Sequence, residues 1–288
     1  MARPARSRRR PGPAADERRV AFVLSGGGNL GAMQVGMLRA LVERRIQPDV
    51  VLGCSAGAIN GAGFASNPSR AGVRRLEELW ARVTEFEVMP SSWVPSTVQL
   101  ARRGASIHAN DGLRRLIEFG LTVATFDELP LRFECVATDV DSAEEVWFDR
   151  GALADAILAS AALPTVFPPV ERDGRRYLDG GIVNDIPVNR AVQLGATRIY
   201  VLHVGLRGGG LPEPRRPLDV ALWTYWLARR ARYQRDRAAI GDGVELIELA
   251  PPQRPSLRFD DFARSDELIR QGYQVAVAAL DTPAPAGP

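Results

Sequence analysis

There is no lysine anywhere in the 288 residues, and all 37 basic side chains are arginine. That excludes mechanisms built on a catalytic amine, Schiff bases and the P-loop lysine among them. Histidine is scarce too: the two present are too few for most His-rich metal sites. Two cysteines, Cys54 and Cys135, make no disulfide framework and cannot by themselves ligate a structural zinc, so a reducing, intracellular setting is the default expectation. No run of about 18 apolar residues occurs, and no helix is expected to span a bilayer. With no EF-hand loop and no zinc spacing, no cofactor is expected.

What remains is an ordinary globular composition, 45% hydrophobic and 25% charged. The net charge of +3 is unevenly spread. Residues 1–19 hold seven arginines against Asp16 and Glu17, so the rest of the chain sums to −2. The basic balance belongs to the tail and does not argue for a nucleic-acid-binding body. An Arg-Arg pair near the start is suggestive of a twin-arginine signal, but the apolar segment such a signal needs is absent. Residues 1–18 are read as a disordered Arg/Pro-rich tail, 19–282 as one domain and 283–288 as a second disordered tail.

Within that body, short β-branched runs alternate with helical periodicity, the pattern of a parallel sheet flanked by helices. Strands are expected at 19–24, 49–53, 132–139, 144–148, 175–178, 199–204 and 244–249. Helices are expected at 30–43, 56–65, about 70–83, 110–119, 151–161, 187–194, 218–240 and 265–280. An irregular Ser/Pro/Trp stretch runs from Met89 to Ser96, and a Gly-rich loop covers Gly208–Gly210.

Three segments carry chemistry. Gly53-Cys54-Ser55-Ala56-Gly57 is G-x-S-x-G between a strand and a helix, where a serine is exposed at a sharp turn. It also sits at a helix N-terminus, whose dipole favours an oxyanion. A plain tight turn explains the pentapeptide equally well. Gly26-Gly27-Gly28-Asn29-Leu30-Gly31 can present bare N–H groups to an anion. It also satisfies the dinucleotide G-x-G-x-x-G pattern, but the second strand ends Leu52-Gly53-Cys54-Ser55 without the ribose carboxylate, and Asp49 falls at the wrong end. The third, Tyr177-Leu178-Asp179-Gly180-Gly181, would pass alone for an ordinary turn.

In combination, with Ala159-Ser160-Ala161-Ala162-Leu163-Pro164 and Asn184-Asp185-Ile186-Pro187 in the same order, these blocks make the chain resemble the patatin-like phospholipase family from about Val20 to Val204. The resemblance implies a three-layer α/β/α sandwich with a central, mostly parallel sheet. It implies Ser55 as nucleophile, Asp179 as its general base, and an oxyanion hole from the backbone of Gly26, Gly27 and Gly28. The implied activity is a serine lipid acyl hydrolase of phospholipase A or esterase type. Its partner is a lipid acyl ester; no nucleic acid is implied, the oligomeric state is undefined, and the setting is cytoplasmic with peripheral membrane contact left open. The family's Arg or Lys is Leu30 here, so a head-group preference does not transfer. That departure motivates the alternative of a non-catalytic lipid-binding or regulatory protein that keeps the fold.

Other residues compete for roles. Ser55, Asp179 and His203 follow the Ser…Asp…His order of α/β-hydrolases, but His203 falls in the apolar run 199–204 and Ser55 comes early for that fold. His108 is read as surface and Cys54 as a buried thiol. Trp223, Tyr225, Trp226 and Leu227 precede Arg229, Arg230, Arg232, Arg235 and Arg237 on one helix. The favoured reading packs the aromatics on the body and solvates the arginines; the other lays the helix on a membrane. Trp80, Trp93 and Val94 are candidates for an acyl-pocket border.

Overall fold

The structure is a computed structural model, which describes residues 19–86, 88, 106, 109–205, 217–253, 255, 257 and 261–282. The tails 1–18 and 283–288, Met89–Ser96 with Trp93 and Val94, His108 and Gly208–Gly210 lie outside the described residues.

The strands are β1 (Val20–Leu24), β2 (Val50–Cys54), β3 (Arg132–Asp139), β4 (Glu145–Phe148), β5 (Val170–Arg172), β6 (Arg175–Asp179), β7 (Arg198–Leu202) and β8 (Glu245–Leu249). They form one sheet in the order β5-β6-β3-β2-β1-β7-β8, with β4 also paired to β3. Pairing is parallel from β3 through β8 and antiparallel where β3 meets β4 and β6 and where β5 meets β6. The helices are α1 (Ala32–Glu43), α2 (Ala56–Ser66), α3 (Arg70–Ala81), α4 (Asp111–Gly120), α5 (Leu153–Ser160), α6 (Val188–Gln193), α7 (Pro217–Ala238) and α8 (Ser265–Asp281).

Side chains on a strand alternate between faces, and here both faces are apolar because both are covered. On β1, Phe22 and Leu24 enter the larger core with Met33, Met37 and Leu38 of α1, while Ala21 and Val23 enter a second core with Ile199, Val201 and Tyr233 of α7. Helices therefore flank a mostly parallel sheet on both faces, as the sequence pattern predicts. Each fully buried Leu or Phe contributes about 1.5–3 kcal/mol to that arrangement.

The differences are local. Strand β5 was not foreseen, being three residues long and set between Pro168-Pro169 and the Asp173-Gly174 turn. The stretch expected to open the first helix at 30 begins instead as a 3-10 turn, Gly28–Gly31. Helix α5 starts at Leu153 rather than Gly151, because Ala152 is extended and bridges to Thr125.

Candidate active site

Strand β3 acts as a ruler for two distant segments. Cys54, the last residue of β2, pairs with Val136, and Asp179, the last of β6, pairs with the next residue, Ala137. The serine elbow and the aspartate thus leave the sheet from adjacent positions.

Ser55 stands at φ 55°, ψ −122°, between β2 and the first turn of α2. So sharp a turn needs its flanks bare. A Cβ at Gly53 would lie 2.5 Å from the Gly57 carbonyl oxygen, and one at Gly57 would lie 2.5 Å from the Ser25 carbonyl oxygen. The Ser55 N–H donates to Ser160 Oγ (3.1 Å), at the end of α5.

Asp179 is 1% exposed. Its Oδ1 accepts from the Gly181 N–H (2.7 Å) and from the Tyr225 hydroxyl (3.4 Å). Burial raises the Asp179 pKa above the usual carboxylate value. The Arg229 guanidinium opposes this most strongly, followed by the Ser55 side chain and by the Gly181 N–H and Tyr225 hydroxyl. Cys54 is fully buried with Sγ 3.9 Å from Asp179 Oδ1; burial and that carboxylate push its thiol well up, so it stays protonated.

The glycine loop divides into two parts. The Gly26 N–H is engaged by Asp185, whose main-chain oxygen and Oδ1 lie 3.3 and 3.0 Å away. Among the described residues, the Gly27 and Gly28 amides donate to no protein acceptor. A buried polar ladder backs the loop. Trp80 Nε1 donates to Asn60 Oδ1 (2.8 Å), and Asn60 Nδ2 donates to the Gly31 carbonyl (2.9 Å) and Gln34 Oε1 (2.8 Å). Gln34 Nε2 in turn donates to the Ser25 carbonyl (2.7 Å). Trp80, a candidate for an acyl-pocket border, is 2% exposed and is part of this scaffold. Leu30 is buried.

His203 lies one residue beyond β7, buried, with its ring 5.8 Å from that of Tyr233. Sequence reasoning missed Tyr225, Arg229 and Asp185 as neighbours of the pair. Contrary to the expected solvation of its arginines, α7 buries Arg229 in an ion pair with Asp185 and turns Arg232 inward to Glu145 (2.6 Å) and the Val183 carbonyl (2.8 Å). Arg235 and Arg237 are exposed as expected. A run of arginines gives no sign of which one turns inward; the only signal was Asp185, an acid inside the Asn-Asp-Ile-Pro block.

A family model described as Patatin-like phospholipase matches residues 22–192, more than half of the chain. The chain belongs to that family. Patatin-like phospholipase domain-containing protein 7 of Rattus norvegicus is 30% identical over 283 residues, covering 91% of this chain and 20% of the relative. An uncharacterized NTE family protein of Mycobacterium bovis is 31% identical over 216 residues, covering 74% of this chain and 56% of the relative. The chain thus spans about a fifth of the first relative's length and just over half of the second's. Among solved structures, VipD from Legionella pneumophila aligns with a TM-score of 0.49 at 16% identity, over 93% of this chain and 67% of that one. The Patatin match ends before α7, so Tyr225 and Arg229 lie outside it.

Proposed function

We propose that the chain is a serine lipid acyl hydrolase whose single hydrolase domain spans 19–282, with Ser55 as nucleophile and Asp179 as base. One observation supports this reading: β2 and β6 pair with consecutive residues of β3, so the Ser55 turn and the Asp179 carboxylate leave the sheet side by side, next to the glycine loop. Asp179 takes the hydroxyl proton as Ser55 Oγ attacks the ester carbonyl. The oxyanion rests on the free amides of Gly27 and Gly28, the alcohol leaves with the proton, and water releases the acid from the acyl-enzyme. Membership of the family supports a lipid as substrate, and the proposed nucleophile and base support a carboxylic ester as the bond cleaved.

The test is labelling by a fluorophosphonate together with hydrolysis of medium-chain p-nitrophenyl esters. Ser55→Ala should abolish labelling, and both Ser55→Ala and Asp179→Asn should cut kcat/KM by about a thousandfold or more. Equal rates for the three proteins would overturn the proposal. A non-catalytic lipid-binding protein, the reading that Leu30 motivates, would leave Ser55 unlabelled.

A further inference from the structure

Helix α7 is amphipathic in an unusual way. Leu227 is 43% exposed, whereas the arginine two residues on is 6% exposed. The Arg229 guanidinium is flanked by two rings of its own helix, Tyr225 at 4.9 Å and Trp226 at 4.4 Å. Its ion-pair partner Asp185 is the residue that anchors the Gly26 amide. The space it fills is set by two glycines. A Cβ at Gly26 would lie 2.7 Å from Arg229 Nη2 and 3.2 Å from Ser55 Cβ. One at Gly181 would lie 3.3 Å from Arg229 Cζ and 2.9 Å from Asp179 Oδ1. The guanidinium is therefore lodged among the nucleophile, the base and the glycine loop. We propose that Arg229 is a positioning residue for the Ser55–Asp179 pair: paired to Asp185 and lodged beside Asp179 at Gly181, it holds the base by its charge and, through Asp185, the glycine loop, so the reacting centre is complete only with α7 seated.

The chemistry explains why such a residue is needed. A base that works without a histidine must stay ionised in a site dry enough to strengthen the oxyanion contacts, and burial opposes that. One cation paired to Asp185 and set beside Asp179 stabilises both charges and still leaves a net negative charge on the three groups, so Asp179 is held but not extinguished as a base. Among the described residues, the other groups facing Asp179 supply no positive charge. They are the protonated Cys54 thiol from β2, the Ser55 hydroxyl from the start of α2, Tyr225 from α7 and the Gly181 amide. From β3, Thr138 donates to the Asp179 main-chain oxygen (2.8 Å). The sign follows. Removing the Arg229 charge leaves burial less opposed, so Asp179 keeps its proton to higher pH and the acid limb of kcat/KM moves up. Neutralising Asp185 leaves the whole Arg229 charge to Asp179, and the limb moves down.

This role rests on the proposed hydrolase reading, and the experiment separates the two. The pH dependence of kcat/KM on a p-nitrophenyl ester is measured for the wild type, Arg229→Gln, Arg229→Lys and Asp185→Asn, with near-UV circular dichroism as the check on folding. Expected are a loss of at least about tenfold in Arg229→Gln with the limb at higher pH, recovery of most of that loss in Arg229→Lys, and a limb at lower pH in Asp185→Asn. Asparagine at 185 still accepts from Gly26, so this arm reads out even if Arg229→Gln does not fold. A wild-type limb in folded Arg229→Gln, a loss that lysine does not recover, or an unmoved limb in Asp185→Asn would overturn the role. A wild-type chain inert to both ester and fluorophosphonate would overturn the hydrolase reading itself.

Discussion

The backbone at Ser55 lies in a region that L side chains rarely occupy, and such conformations carry about 1–3 kcal/mol of strain. Glycine relieves it; alanine removes the hydroxyl and keeps the strain. Ser55→Gly is therefore expected to be more stable than Ser55→Ala by about 1 kcal/mol after the entropy of the glycine is counted, and both should be unlabelled. Urea unfolding of the two variants checks this, and equal midpoints would count against strain at the elbow. Ser55 and Asp179 were legible as candidates only because the glycine loop, the G-x-S-x-G turn and the Asp-Gly-Gly turn occur together in one order; each alone passes for an ordinary turn. Arg229 and Tyr225 were not, because they meet the pair through a helix whose sequence reads as an ordinary charged surface.

Helices α1 and α8 cross at two glycines. A Cβ at Gly36 would run into the Ile269 carbonyl oxygen and one at Gly272 into that of Met33, both backbone atoms that cannot rotate aside. Gly272→Ala should cost about 1–3 kcal/mol, read as a lower urea midpoint with an unchanged slope, and a wild-type midpoint would contradict the close crossing. Nothing in periodicity reports such a contact, since both glycines sit in helices that pattern alone already predicts. Most element types were otherwise readable from apolar runs in strands such as β1 and β7 and helical periodicity in α3 and α4, whereas α2, buried along its whole length, shows no polar face. Three-residue β5 was not, since so short a strand has no period to detect. His203 ended outside a strand because the apolar run continues past the last ladder position, Leu202.

The matched family segment and the structural unit differ in extent. Residues 22–192 omit β7, which pairs with β1 along all five of its residues, and they omit α7 and α8, which cover opposite faces. Residues 19–195 alone are expected to lack a cooperative thermal transition and near-UV dichroism, whereas 19–282 should keep both. A folded 19–195 would show that the sheet tolerates an open edge at β1. The fold class was readable at this scale, since alternating strands and helices constrain connectivity strongly. Completion of the site by chain far beyond the last motif was not, because no local pattern records which helix returns to the sheet's ends.

The pairing of Cys54 and Asp179 with consecutive residues of β3 means that the gap between the two oxygens is fixed by ladder spacing, not by any of the connecting loops. Those connections are free to lengthen or diverge without moving either group. A single residue inserted within β6 would instead carry the carboxylate to the opposite side of the sheet, a loss that no rearrangement elsewhere could make good.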